Sequence, residues 1–112
     1  MNKKADELTI LVADDEEDIR DGAERILQRI GYRVVKAARG DDAQKLVEAL
    51  RPDLVMLDLK MPGRDGIEVL KFIRQMDPRI LVIIVTGFAT VEAAIEAMKR
   101  GAYDFIPKPF EP

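Results

Sequence analysis

The stretch Leu54-Val55-Met56-Leu57-Asp58 consists of four apolar residues that end on an acid. Apolar runs also occupy residues 9–13 and 81–85, and weaker ones occupy residues 34–35 and 103–106. Nearly unbroken runs of valine, isoleucine and leucine are typical of strands that are covered by helices on both faces of a parallel sheet. The chain is therefore predicted to contain five short parallel strands.

Four segments with helical spacing of apolar residues lie between these runs. The segments carry Ile19, Ala23, Ile26, Leu27 and Ile30 before Gly31; Ala43, Leu46, Val47 and Leu50 before Pro52; Ile67, Leu70, Ile73 and Met76 between Gly66 and Pro78; and Val91, Ala94, Ile95 and Met98 between Thr90 and Gly101. Gly31 suits a helix C-cap and Thr90 suits an N-cap. Alternating strands and helices predict a doubly wound α/β fold.

The strand order follows from the strands that tolerate a sheet edge. The second strand, residues 33–37, contains Arg33 and Lys36, and the fifth runs into Pro107, which cannot donate a ladder hydrogen bond. Edges at strands two and five predict the flavodoxin-like order 2-1-3-4-5. In that order a ligand crevice lies beyond the carboxyl ends of strands one and three.

The predicted fold has five strands but only four helices, because the sequence ends at Phe110-Glu111-Pro112. We expect residues 1–7 to be an N-terminal extension and residues 8–112 to form one domain, truncated after strand five. The usual fifth helix would then be lost, or its place would be covered by another segment or chain, including a second copy.

Composition excludes several kinds of site. The 112 residues include no histidine, cysteine or tryptophan, which excludes Ser–His and Cys–His nucleophilic sites, Cys/His zinc sites and disulfides. A net charge of −3 argues against direct nucleic-acid binding. With no apolar run of the roughly 18 to 20 residues that a membrane span needs, and no signal peptide, we expect a cytoplasmic protein without membrane contact.

Polar side chains follow four of the predicted strands. Asp14 and Asp15 follow strand one, Asp58 follows strand three, Thr86 follows strand four and Lys108 follows strand five. Because carboxyl ends of parallel strands meet at one edge, we expect these side chains to converge. Like charges there would repel unless a cation joined them, and oxygen ligands of this kind suit Mg²⁺.

Each of these residues also has an ordinary structural explanation. Acids are favoured at helix starts, which accounts for residues 16–18. Asp58 precedes Pro62-Gly63 and could cap a turn, while Lys108 could be a solvated side chain and Thr86 a common strand residue. Their coincidence at one edge favours chemistry instead, because a carboxylate can attack phosphorus when metal and cationic groups offset the phosphoryl charge.

Short motifs of a known kind cover the chain from about Leu8 onward. They are Asp14-Asp15, Asp58 with Met61-Pro62-Gly63 and Asp65-Gly66, Thr86-Gly87, and Lys108-Pro109-Phe110. Together they closely resemble the receiver domain of two-component response regulators, in the CheY-like superfamily. The stretches at residues 87–91 and 101–110 are most similar to receivers of nitrogen-regulation (NtrC-type) transcription activators.

The resemblance implies that Asp58 is the phosphoacceptor. It also implies that Asp15 and Asp58 bind Mg²⁺ together with the backbone carbonyl of Lys60, and that Asp14 acts mainly through metal-bound water. Such a domain is not a classical enzyme, since it catalyses only its own phosphotransfer from phosphohistidine and slow autodephosphorylation. The chain has no histidine, so the donor histidine is expected on a sensor histidine kinase.

The resemblance further assigns a switch. Thr86 would hydrogen-bond the phosphoryl group, Lys108 would pair with it, and Phe105 would be the aromatic residue whose rotamer follows Thr86. The Lys108-Pro109 bond is expected to be cis. The changed surface on helix four and strand five would then control an output domain or a downstream protein, in a transcription regulator. Its apolar candidates are Val91, Ile95, Met98 and Tyr103, although the first three suit a core equally well.

Lys60 and Phe88 each lie two residues after a predicted site residue, Asp58 and Thr86 respectively. We hypothesise that their bulk beside the path of attacking water slows hydrolysis of the phosphoryl group.

Three alternatives remain for comparison. A dinucleotide- or flavin-binding module would need glycines and free amides after strand one, where this chain has five acids. An aspartate-nucleophile phosphatase of the haloacid dehalogenase type would need an acid two residues after Asp58, where Lys60 stands. A passive interaction module stays possible if truncation disables switching.

Overall fold

Within residues 4–108, which the computed structural model describes, five strands and four α-helices alternate along the chain. The strands are β1 (Thr9–Ala13), β2 (Arg33–Ala37), β3 (Leu54–Leu57), β4 (Leu81–Thr86) and β5 (Asp104–Pro107), and the helices are α1 (Glu17–Ile30), α2 (Gly40–Leu50), α3 (Gly66–Met76) and α4 (Val91–Lys99). A short 3-10 helix, Ala5–Glu7, precedes β1. The predicted motif residues Pro109 and Phe110 lie outside the described residues, and so does the predicted cis bond.

All five strands are parallel, and their order is β2-β1-β3-β4-β5, as predicted from the polar second strand and from Pro107. Ala13 pairs with Leu57, so the residues after β1 and β3 begin at the same level of the sheet. The Asp58 backbone N–H extends this pairing by donating to the Ala13 carbonyl at 2.9 Å. This register brings the acids after the two strands side by side.

The core is centred on the three inner strands. The largest fully buried apolar side chains on these strands are Leu11, Val12, Val55, Leu57, Val82 and Ile84. Helices α2 and α3 cover the sheet with fully buried Val47, Val69 and Ile73. Each such apolar side chain contributes about 1.5 to 3 kcal/mol when buried. The carboxyl ends of β1, β3 and β4 are therefore held on a rigid frame.

The ends of the helices mostly follow the predicted caps. Gly31 ends α1 in the left-handed conformation, with φ of 115°, and its N–H donates to the Gln28 and Leu27 carbonyls. The Thr90 hydroxyl accepts from the Ala93 N–H at 3.0 Å at the start of α4. Asp65, which was not predicted as a cap, accepts from the Ile67 N–H at 2.8 Å and starts α3. Both predicted caps are confirmed.

Helix α4 corrects one alternative drawn from its apolar pattern. Val91, Ile95 and Met98 are 72%, 50% and 48% exposed, so the core interpretation of these residues is wrong. The helix packs against the core through small side chains instead, with Ala97 fully buried and Ala93 beside the cluster. A close approach through alanines turns the larger apolar side chains to the surface.

The fifth strand also begins later than its apolar run. Tyr103 precedes β5 and is 66% exposed, while Pro107 is the last residue of the strand. The edge position permits Pro107 in the strand because one side of an edge strand forms no ladder hydrogen bonds.

No helix in the described part of the chain is both long enough and apolar enough to span a membrane.

Candidate functional site

Three carboxylates converge at the carboxyl edge of the sheet, as predicted. One oxygen from each of Asp14, Asp15 and Asp58 lies within 4.8 Å of the others. Asp14 and Asp58 are only 2% and 4% exposed, whereas Asp15 is exposed. Two buried carboxylates beside a third require positive charge nearby.

Lys108 supplies part of that charge. Its Nζ lies 2.7 Å from Asp14 Oδ2 and 3.0 Å from Asp58 Oδ2, and 3.7 Å from Glu16 Oε2. The Lys108 backbone N–H donates to the Thr86 carbonyl at 2.8 Å, which ties the residue after β5 to the end of β4. The ammonium group is thereby held between two buried carboxylates.

The surroundings shift the pKa of two of these groups. Burial raises the pKa of Asp14, and the bonds from Lys108 and from the Glu16 N–H only partly oppose this effect. For Lys108, burial acts to lower the pKa, but the hydrogen bonds to Asp14 and Asp58 outweigh it, so the pKa is raised. Lys108 is therefore positively charged at neutral pH.

The donor set fits a hard cation. Three carboxylates face one ammonium group, so negative charge remains in excess, and every side-chain ligand is an oxygen. Mg²⁺ prefers oxygen ligands and commonly takes one or two carboxylates together with water and a phosphate oxygen. The exposed Asp15 carboxylate leaves one side of the cluster open to solvent.

Thr86 lies at the end of β4, fully buried, and its Oγ1 accepts from the Phe88 N–H at 3.1 Å. It lines a cavity of about 340 Å³ at the same edge. The other residues that line this cavity are Asp15, Glu16, Asp58, Lys60, Gly87, Phe88 and Lys108. The cavity thus brings together an acid, a hydroxyl and an ammonium group, with room for a phosphoryl group.

The loop that carries Asp58 is held from two directions. The Asp58 Oδ1 accepts from the Lys60 N–H at 3.2 Å, and the Gly66 N–H donates to the Leu59 carbonyl at 3.1 Å. A Cβ on Gly66 would overlap the Asp58 carbonyl oxygen. Only glycine permits this approach of α3 to the acid-bearing loop.

Lys60 and Phe88 contact each other above the cavity. The Lys60 Nζ lies 4.3 Å from the centroid of the Phe88 ring, in cation–π geometry. Phe88 is 45% exposed. The two side chains therefore form a bridge between the loops that follow β3 and β4.

Phe105, the predicted switch aromatic, does not join the acidic cluster. It is half-buried on β5 and packs against the apolar core. On β5, Phe105 pairs with Ile84 of β4, two residues before Thr86.

Sequence reasoning missed two residues at the site. Arg20 Nη1 donates to the Asp14 backbone carbonyl at 2.7 Å and holds the end of β1. Glu16 was assigned only to a helix start, yet its carboxylate reaches toward Lys108. No sequence signal marks Arg20, because its partner is a backbone carbonyl that folding alone brings within reach.

Comparison with known proteins agrees with this geometry. The family model described as the response regulator receiver domain matches residues 10–112. The chain is 42% identical over 103 residues to the nitrogen assimilation regulatory protein NtrX of Azorhizobium caulinodans, covering 90% of this chain and 23% of that protein. It is 40% identical over 111 residues to sporulation initiation phosphotransferase F of Bacillus subtilis, covering 99% of this chain and 86% of that protein.

A solved structure shows the same architecture. The CheY-like response regulator receiver domain protein of Methanospirillum hungatei superposes with a TM-score of 0.90 at 32% identity, over 94% of this chain and 84% of that one. The strand order, the acids after β1 and β3 and the family match along nearly the whole length lead to one assignment. The chain belongs to the response regulator receiver domains, and its relatives include receivers of NtrX and NtrC regulators.

Proposed function

We propose that Asp58 accepts a phosphoryl group from a phosphohistidine. The observation that carries the proposal is the Asp58 carboxylate, buried at the end of β3, with Lys108 Nζ 3.0 Å away and a cavity beside it. An oxygen of Asp58 attacks phosphorus, the P–N bond to the histidine breaks, and the imidazole leaves with the electron pair and takes up a proton. The product is an aspartyl phosphate.

Mg²⁺ would be held by Asp15, Asp58 and the backbone carbonyl of Lys60, with Asp14 acting through metal-bound water. When bound, it would offset the charge on the phosphoryl oxygens and draw them toward the acids. The excess of carboxylates over ammonium groups, described above, supports this assignment.

Lys108 and Thr86 would serve the phosphorylated state. Lys108, now bonded to two carboxylates, would turn one donor to a phosphoryl oxygen, in a charge-assisted hydrogen bond. The Thr86 hydroxyl accepts from the Phe88 N–H and can donate its own proton to another phosphoryl oxygen. A shift of Thr86 would pull the loop at residues 87–90 with it.

The loop movement would carry the signal to α4 and β5. Phosphorylation adds about −1.5 to −2 charges at the site. Reversing a 1:99 ratio of active to inactive conformation requires that the phosphoryl group interact about 5.5 kcal/mol more favourably with the active conformation. Phe105, half-buried on β5, would fill the space that Thr86 leaves. The exposed apolar side chains Val91, Ile95 and Tyr103 would form the surface that changes.

The relatives support a proposal about the partners. The chain spans 23% of the length of the NtrX relative, which is named as a nitrogen assimilation regulator. We propose that this receiver takes its phosphoryl group from a sensor histidine kinase in the cytoplasm and controls an output domain or a downstream protein in transcription regulation. A homodimer through the exposed face of α4 and β5 is a second part of the proposal.

The test uses the whole chain with Mg²⁺ and a small phosphodonor, followed by intact mass spectrometry. We expect a gain of one phosphoryl group, which Asp58→Asn or a chelator abolishes. Asp42→Asn removes an exposed acid on α2 and should leave the gain unchanged. Modification that persists in Asp58→Asn would contradict the proposal, and multiple turnover of a phosphomonoester would favour a phosphatase.

A further inference from the structure

A second cavity is lined by residues of α3 and of the end of α4, and none of the three acids of the cluster lines it. It has a volume of about 470 Å³ and is lined by Arg64, Lys71, Arg74, Lys99 and Arg100, with Phe72 on its wall. We refer to the part formed by these five basic residues as the α3–α4 groove. Cavities of about 300 to 1,000 Å³ are typical of small-molecule sites.

The charge of the groove contrasts with that of the chain. Five basic residues and one acidic residue, Glu68, line the groove, although the net charge of the whole chain is −3. Lys71 pairs with Glu68 at 3.3 Å, and Arg100 pairs with Glu96 at 3.1 Å. Neither Arg64 nor Lys99 forms an ion pair with any acid in residues 4–108. Positive charge is therefore left over in the groove.

Helix dipoles account for only part of this pattern. Arg74 and Lys99 lie in the last turns of α3 and α4, where cations are favoured. Arg64 lies just before the start of α3, where the helix dipole disfavours a cation and favours an anion. Its position calls for a different explanation.

The guanidinium group of Arg74 supplies an independent observation. Its Nε and Nη2 are buried and have no hydrogen-bond partner among the described residues, while Nη1 donates to the Pro78 carbonyl at 3.2 Å. Buried donors without a partner are rare in folded proteins, and an unseen ion or water is one explanation for such a group. Nε and Nη2 form the edge of the guanidinium that oxyanions accept from in bidentate fashion.

Glycine at position 101 leaves room for the side chain of Arg74. Gly101 has a φ of 99°, and a Cβ there would lie 2.6 Å from Arg74 Cδ. The backbone after α4 thus passes close to the stem of the arginine.

We propose that the α3–α4 groove binds a small phosphate-bearing molecule. The phosphate would pair with the exposed side chains of Arg64 and Lys99. The buried, unpaired edge of Arg74 would reach a phosphate oxygen after a small turn of its side chain, and the volume that remains, beside Phe72, would accept an organic group. A monocarboxylate offers too little charge for this many cations, whereas a dianionic phosphate matches them.

The test is a titration of the whole chain with inorganic phosphate, pyrophosphate and AMP, followed by ¹H–¹⁵N NMR that includes the arginine Nε–H signals. The buffer contains a chelator, so the outcome does not depend on Mg²⁺ or on phosphorylation of Asp58. We expect saturable shifts in the groove and at the Arg74 Nε–H. The inorganic arms show whether phosphate suffices, and AMP shows whether an attached group adds affinity.

Matched double variants separate this site from general charge effects. Arg64→Gln with Lys99→Gln should weaken binding about tenfold or more. The control, Arg25→Gln with Arg29→Gln, removes the same charge from the exposed side of α1 and should leave the affinity nearly unchanged. Both pairs are exposed, so we expect both variants to fold.

Three results would overturn the proposal. One is a lack of saturation at about 20 mM ligand, far above the dissociation constant of a weak millimolar site. The second is equal weakening in the two double variants. The third is binding of a polyglutamate peptide in the groove when none of the phosphates binds, which would identify a protein-docking surface.

Discussion

Gly66→Ala tests whether the start of α3 sets the position of Asp58. An alanine Cβ at position 66 would overlap the Asp58 carbonyl oxygen and lie 2.6 Å from Leu59 Cα and 3.1 Å from the Asp58 carbonyl carbon. All three atoms belong to the backbone of the loop after β3, so no side-chain rotation relieves the overlap. The loop or the helix must move by about 1 Å to restore van der Waals separation.

The expected stability change is the difference of two effects. Overpacking in a well-packed region costs about 1 to 3 kcal/mol, and replacing glycine by alanine in a helix returns up to about 1 kcal/mol. We expect Gly66→Ala to lower the free energy of unfolding by about 1 to 2 kcal/mol. A displacement of 1 Å at the reacting group can also lower a reaction rate about 100-fold. We therefore expect the rate of Asp58 phosphorylation to fall by up to about 100-fold, even under conditions where the variant is fully folded.

Gly22→Ala is the matched control. Gly22 lies inside α1, and a Cβ there meets no atom within 4 Å. The substitution should raise the free energy of unfolding by about 0.5 to 1 kcal/mol, because alanine loses less backbone entropy in a helix. Phosphorylation should be unchanged, since the added Cβ would meet no atom of the site.

The assay combines urea unfolding, followed by far-UV circular dichroism, with phosphorylation rates from intact mass spectrometry. Circular dichroism is preferred because the chain has no tryptophan. If Gly66→Ala unfolds at the wild-type urea concentration and is phosphorylated at the wild-type rate, the steric argument is refuted. If Gly22→Ala lowers the rate equally, the effect does not arise at the Asp58 loop.

Substitutions at three further positions test other contacts. Phe88→Ala removes the ring under Lys60 Nζ and should speed hydrolysis of the phosphoryl group several-fold, and an unchanged decay of the phosphorylated mass would end the hypothesis that this pair slows water. Hydrogen bonds from Arg79 lower the pKa of Asp77 in the folded state, so the stability that they contribute is present above the unfolded pKa of about 3.9 and is lost as the pH falls below it. Asp77→Asn should therefore lose less stability than the wild type between pH 5 and pH 3 in urea titrations, and parallel curves would disprove this. Thr90→Ala removes the hydroxyl that caps α4 and should cost about 1 kcal/mol, whereas Thr90→Ser should cost little, as unfolding midpoints would show.

Most of the fold could be predicted from local sequence patterns. The apolar runs and the caps Gly31 and Thr90 could be read from the sequence because they depend on burial and on backbone conformation within a few residues. The strand order also followed, since Pro107 and the polar second strand suit only edges. The pattern on α4 left two alternatives open, because helical spacing shows which residues share a face but does not show whether that face is buried.

The site was predicted as a set of residues but not as a set of contacts. The four strand ends had to meet at one edge in any sheet of this order, which is why the acids, Thr86 and Lys108 could be grouped in advance. The hydrogen bond of Arg20 to Asp14 and the cation–π contact of Lys60 with Phe88 could not be predicted, because each joins separate elements through a side chain. The unpaired donors of Arg74 could not be predicted either, because burial of those atoms depends on the packing around them.

The sequence by itself determined the parallel α/β class and which acidic, hydroxyl and ammonium side chains follow the strands. Tertiary structure decided that Lys108, fifty residues from Asp58, lies 3.0 Å from its carboxylate and also bonds Asp14. The physical reason is the range of each effect. Periodicity and capping act between neighbours in the chain, whereas ion pairs between strand ends depend on sheet register and on packing within about 1 Å.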